Sequence, residues 1–177
     1  MIDKVPNPPR VLVVEPNKAA LAMMAKRLTE AGYRVISCEQ ANAAVAELYR
    51  VPVDLVIAEL RMAGMSGIEL TRLVRDETVL KDTPIVLITG RSDVTGAVDG
   101  FGAGADDVVA KPFDFEVLIA RVARQLARAK AVREVRHDKA ALDARVTTRA
   151  IELGEARAAL KQSEAERLRL EQLVRRA

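Results

Sequence analysis

Asp54-Leu-Val-Ile-Ala-Glu59-Leu-Arg61-Met62-Ala-Gly64-Met65-Ser66-Gly67-Ile-Glu69-Leu70 is the stretch of this 177-residue chain whose reading decides the fold. Leu55 to Ala58 is an unbroken apolar run, the pattern of a strand buried on both faces. A carboxylate, Glu59, ends it, and a glycine-containing loop follows. Ser66 and Glu69 then stand at the spacing of a capping box that opens a helix. A carboxylate at the carboxyl end of a buried parallel strand lies where open α/β sheets place their sites.

Working outward, the same punctuation recurs. Arg10-Val-Leu-Val-Val14 reads as a strand closed by Glu15-Pro16-Asn17, and Asn17 as the N-cap of a helix from Lys18 to Ala31, stopped by Gly32. Residues 33–38 are strand-like and 41–49 helical, ending before Val51-Pro52. Past the central unit, Ile85-Val-Leu-Ile88 ends in Thr89-Gly90, and a glycine-rich helix spans about Asp93 to Gly102. Asp107-Val-Val-Ala110 runs into Lys111-Pro112-Phe113, and a fifth helix begins near Asp114. Strict alternation, five times over, with short connections, predicts an α/β fold: a doubly wound, five-stranded parallel sheet covered by helices on both faces.

Nothing in the sequence stops the last helix. From Phe115 to Ala177 there is no proline, and Gly154 is the only glycine. With Val132, Lys139, Val146, Leu153, Leu160, Arg167 and Val174 as heptad position a, position d holds Val135, Leu142, Arg149, Ala156, Ser163, Leu170 and Ala177. Ten of these fourteen are apolar. The 49 residues from Ala129 would span about 70 Å at a rise of ~1.5 Å per residue, too long to fold back on a small domain. Against the alternative of a solvated single helix rich in i,i+4 ion pairs, the regular seam predicts a parallel homodimeric coiled coil with Val132, Val135, Leu142, Val146, Leu153, Ala156, Leu160, Leu170 and Val174 in its core. The division expected is a lead over 1–8, a globular domain over 9–128 and the coil over 129–177.

Composition narrows the function classes. Through Arg128 there are 16 Lys or Arg against 17 Asp or Glu; from Ala129 the balance is 12 against 8. No Trp and only five Tyr or Phe leave no aromatic platform for single-stranded nucleic acid, so no nucleic-acid partner is expected. The one cysteine, Cys38, lies in a strand and excludes an internal disulfide. No apolar run approaches ~20 residues and the start, Met-Ile-Asp-Lys-Val-Pro, carries no signal peptide, so no membrane association and a cytoplasmic location are expected. His137-Asp138 falls at an outward heptad position and reads as a solvated surface pair.

These pieces in this order resemble the receiver domain of two-component response regulators, over roughly residues 9 to 128. The matching segments are Val-Leu-Val-Val-Glu15-Pro16-Asn17, the Glu59 run ending Arg61-Met-Ala-Gly-Met-Ser-Gly-Ile-Glu, Ile-Thr89-Gly90, and Gly-Ala-Asp-Asp-Val-Val-Ala-Lys111-Pro112-Phe113. The resemblance implies a regulatory module rather than an enzyme. It implies an aspartate after the third strand that takes a phosphoryl group from a histidine kinase, with an acidic pair after the first strand that helps it hold Mg²⁺. It also implies a Thr or Ser and a Lys that bind the phosphoryl oxygens.

Thr89 and Lys111 match those last two positions. Glu59 stands in place of the acceptor aspartate, and Glu15-Pro16 in place of the acidic pair. Glu15, Glu59 and the Arg61 backbone carbonyl are all that remain for a metal, so no cofactor is expected and any Mg²⁺ site is vestigial and weak. Three readings of Glu59 stay open: a mimic of the phosphorylated state, an inert partner for Lys111, or a site that still accepts phosphate weakly, there or at another residue. Val108 occupies the position of the family's switch aromatic, so a threonine-to-ring relay is not available. The tail resembles linkers that join receivers to output domains, including cyclic-dinucleotide phosphodiesterases or cyclases and histidine kinases. A kinase and an output domain are therefore the expected partners besides a second copy.

Overall fold

In the computed structural model the structure describes residues 7–91 and 93–175, and of Leu168, Leu170 and Leu173 only the backbone. Ten elements alternate: β1 Arg10–Val14, α1 Lys18–Glu30, β2 Arg34–Cys38, α2 Ala41–Arg50, β3 Leu55–Glu59, α3 Gly67–Asp76, β4 Ile85–Thr89, α4 Val94–Gly102, β5 Asp107–Ala110 and α5 Phe115–Val174. The strands pair in parallel in the order β2-β1-β3-β4-β5. This is the flavodoxin-like arrangement the alternation predicts, followed by the long C-terminal helix.

The period-2 geometry of strands divides the apolar runs between two cores. Leu12, Val14, Val56, Ala58, Ile85 and Leu87 pack on one face against Ala41, Ala44 and Leu48 of α2 and Leu70 and Val74 of α3. Val11, Val13, Leu55, Ile57, Val86 and Ile88 pack on the other against Leu21, Met24 and Leu28 of α1 and Leu118 and Val122 of α5. Burial on both faces is why β1, β3 and β4 lack the polar alternation of a half-exposed strand. Cys38 belongs to the first core.

Element ends follow local chemistry. The Asn17 side chain accepts from the Ala20 N–H, and Ser66 and Glu69 form the reciprocal capping box at α3. β2 starts one residue later than the strand pattern suggests. The Tyr33 N–H donates to the Leu28 carbonyl (3.1 Å) and the Gly32 N–H to Thr29 (2.9 Å), closing α1 with Gly32 at φ 91°. That left-handed turn is the reason a glycine stands there.

The chain divides into two units, one running through Lys130 and one from Ala131 on. Within the first, α5 starts over Asp114, whose side chain accepts from the Glu116 N–H (2.7 Å). Leu118 and Val122 are fully buried, and Gln125 donates to the Asp106 carbonyl (3.2 Å). In the second, α5 continues and every described side chain from Ala131 onward is exposed. Val132, Val135, Leu142, Val146, Leu153, Leu160 and Val174 are large apolar residues in this exposed set. The side chain of Leu170, residues 1–6 of the N-terminal lead and Ala177 of the seam lie outside the described residues. No described helix is long and apolar enough to cross a membrane.

Candidate functional site at the C-terminal edge of the sheet

β1 lies between β2 and β3, so the connection leaving β1 and the one entering β3 run to opposite sides of the sheet. The carboxyl ends of β1 and β3 thus flank the crevice where open α/β sheets place a ligand. Glu15 follows β1 and Glu59 is the last residue of β3. Thr89 ends β4, and Lys111 follows β5 with its N–H donating to the Thr89 carbonyl (2.8 Å). The Lys111–Pro112 peptide is cis. The sheet brings these residues together from four strands.

Lys111 is the centre of the cluster. Its ammonium donates to Glu59 Oε2 at 2.6 Å and to Glu15 Oε2 at 2.8 Å. The other Glu15 oxygen, Oε1, accepts from the Asn17 N–H at 3.0 Å. The Glu15 and Glu59 side chains are 4% and 13% exposed, against 37% for Lys111, so the cation is the wet end of the triad. Charge-assisted bonds of this length are the strong kind, and burial raises the cost of breaking them.

Burial and neighbouring charge act on both ends of the Lys111–Glu59 pair. Burial, the largest influence, pushes Glu59 above the ordinary glutamate value; Lys111 pulls against it, and the nearby Glu15 adds to the rise. For Lys111, burial is again the largest influence and lowers it, but its bonds and attraction to both glutamates outweigh this and leave it raised. The ammonium therefore stays charged, and Glu59 takes up a proton at a higher pH than an ordinary glutamate.

The donor set can be tested against a metal. Mg²⁺ takes near-octahedral oxygen ligation. Pro16 offers no side-chain oxygen, and the inner oxygens of Glu15 and Glu59 already face an ammonium. Among the described residues no group of three or more His, Cys, Asp or Glu is placed to hold a metal ion. Lys111 takes one oxygen of each glutamate and the Asn17 N–H takes the second oxygen of Glu15, so three of the four oxygens of this pair are already engaged and the set fits a divalent ion poorly.

Thr89 is buried, and its hydroxyl points toward Asp93 Oδ2 at a long 3.4 Å. Asp93 is the hub of a second cluster. Its carboxylate accepts from the Gly96 N–H (2.9 Å), capping α4, and takes a two-pronged bond from Arg61 at 2.6 and 2.9 Å. The Arg61 guanidinium beside it, together with the cap, holds its pKa down to about 2. Sequence reasoning used Arg61 only for its backbone carbonyl and gave Asp93 only the start of a helix. An ion pair spanning 32 residues has no periodic signature; the one hint was an aspartate at an N-cap position. Val108 is half-buried against the first core.

Gly67 explains how the loop after β3 closes. Its N–H donates to the Leu60 carbonyl (3.0 Å), and a Cβ at this position would run into the Glu59 carbonyl oxygen. Only glycine lets α3 begin this close to the site.

The family whose description fits residues 11–123 is the response regulator receiver domain. Over 137 residues the chain is 39% identical to the transcriptional regulatory protein AruR of Pseudomonas aeruginosa, covering 75% of this chain and 52% of that protein. It is 35% identical to the transcriptional regulatory protein YvrH of Bacillus subtilis over 119 residues, 67% of this chain and 49% of that one. It spans about half the length of these curated relatives. Among solved structures, the signal receiver domain of a signal transduction histidine kinase from Syntrophus aciditrophicus matches with a TM-score of 0.64 and 30% identity. That match covers 67% of this chain and 90% of the other. The strand order and these matches agree: the chain belongs to the response regulator receiver family, regulatory modules of bacterial two-component signal transduction.

Proposed function

We propose that this chain is a pseudo-receiver, a regulatory module whose state is set by Glu59 rather than by a transferred phosphoryl group. The observation that carries the reading is the 2.6 Å bond between Glu59 and Lys111. The lysine that would meet phosphoryl oxygens already has an anionic partner, and Glu15 occupies its other side. Phosphoryl transfer relies on positioning and on neutralising charge. With an acid one methylene longer than aspartate and a metal site short of ligands, both are lost. Mg²⁺ binding is accordingly weak, and no other cofactor is required.

The tail gives the module its second half. Along the heptad face, Val132, Val135, Leu142, Val146, Leu153, Leu160 and Val174 are exposed in the single chain, which supports pairing with a second copy as a parallel coil. In this reading the receiver sets the geometry of the two coil helices, and these pass it to an output domain or partner. AruR and YvrH are named as transcriptional regulatory proteins; what this chain controls is a separate matter of its own output.

The test is intact-mass spectrometry of the full chain after incubation with Mg²⁺ and a small acyl-phosphate donor. An unchanged mass is the expected result. A phosphoryl adduct on Glu59 or a neighbouring residue would make the chain a working acceptor and overturn the reading.

A further inference from the structure

We propose that the Arg61–Asp93 ion pair couples the Glu59 site to α4, so that the carboxylate at the end of β3 governs how firmly α4 is held. The inference deepens the pseudo-receiver reading and rests on it. Arg61 lies two residues beyond Glu59, in the loop that follows β3. Between them, Leu60 is fixed at both backbone groups, its N–H donating to the Ile88 carbonyl (2.7 Å) and its carbonyl accepting from Gly67 (3.0 Å). Its side chain is 1% exposed. It lies under α4, where a Cβ on Gly100 would be 3.5 Å from Leu60 Cδ1. The loop after β3 thus meets the α4 region at two places, Leu60 lying near Gly100 and Arg61 forking onto the Asp93 cap. Asp99, further along α4, adds to the attraction on Arg61.

α4 is the element that needs such a hold. Three of its nine residues are glycine, the weakest helix formers after proline. Its cap is the same Asp93 carboxylate that Arg61 grips, so one side chain starts the helix and ties it to the loop. Gly96 is shaped to this arrangement, because a Cβ there would collide with the Asp93 carboxylate. On the outer side of α4, Val94, Val98 and Phe101 are 72%, 64% and 52% exposed. At spacings of four and three they form an apolar stripe whose position is set by how α4 is held.

The experiment is amide hydrogen exchange of the full chain, read at residues 97–102, with the β1 amides as the control for intact folding. Arg61→Ala alone is expected to speed exchange in α4 by about threefold, the scale of an exposed but two-pronged ion pair. The coupling itself is read from Glu59→Gln, which should change α4 exchange by at least about twofold in the parent chain and leave it unchanged in the Arg61→Ala background. Asp93→Asn, which keeps an N-capping side chain, should abolish the response in the same way. An equal response to Glu59→Gln with and without Arg61 would overturn the coupling while leaving the role of Glu59 standing. No response in either background would remove both.

Discussion

A buried and a partly buried carboxylate, Glu15 and Glu59, converge on one ammonium at the sheet edge, and that imbalance governs what each replacement does. Lys111→Met would leave Glu15 and Glu59 facing each other without a counter-charge. Because Lys111 is partly solvated, the expected cost is below that of breaking a fully buried pair, about 1–3 kcal/mol by denaturant unfolding. Glu59→Gln leaves Lys111 paired with Glu15 and should cost less than Lys111→Met at pH 7. The pH dependence has a definite sign. Glu59 is raised in the folded state, so just above the ordinary glutamate range the folded chain binds more protons than the unfolded one. Its contribution is fully present below the unfolded pKa and is lost as pH rises through the folded value. Unfolding midpoints of the parent chain should therefore fall relative to Glu59→Gln across that window, and parallel curves would show that Glu59 is not raised.

At the scale of elements, glycines decide how closely helices approach the site. Gly67→Ala would push a Cβ into the Glu59 carbonyl oxygen, a backbone atom that cannot step aside, and should destabilise by about 1–3 kcal/mol. Gly96→Ala is the more discriminating change. Helix propensity alone favours alanine, yet its Cβ would displace the Asp93 carboxylate, so α4 amides should exchange faster in this variant; slower exchange would mean the cap is not what holds α4. Five strands, five helices, the α3 capping box and the places of Glu59, Thr89 and Lys111 were legible in the sequence. Apolar runs closed by turn residues and caps are local signals, and each site residue follows such a run. What Glu15 touches was not legible. The sequence placed it beside a possible metal, whereas its meeting with Lys111, 96 residues away, depends on β1 and β5 being drawn into one sheet. The Arg61–Asp93 fork escaped for the same reason.

For the whole molecule, the two stretches of α5 predict opposite behaviour on truncation of a leucine. Leu118 is fully buried in the receiver core, and Leu118→Ala should cost about 2–5 kcal/mol of its stability. Leu142 is exposed in the single chain, so Leu142→Ala should leave the receiver's unfolding unchanged and weaken self-association instead. Sedimentation of the parent chain at micromolar concentration should show a dimer; a monomer there would remove the coil from the account. The central claim is narrower, that Lys111 is already answered by Glu59 and Glu15 and the site no longer takes a metal and a phosphoryl group. It is tested most directly by amide NMR of the chain titrated with Mg²⁺ and then beryllium trifluoride, a phosphoryl mimic. The account predicts that the amides of Glu59, Thr89 and Lys111 stay in place at millimolar Mg²⁺ and after the mimic is added. Shifts at these three that grow and saturate would show a working phosphoryl pocket and contradict it.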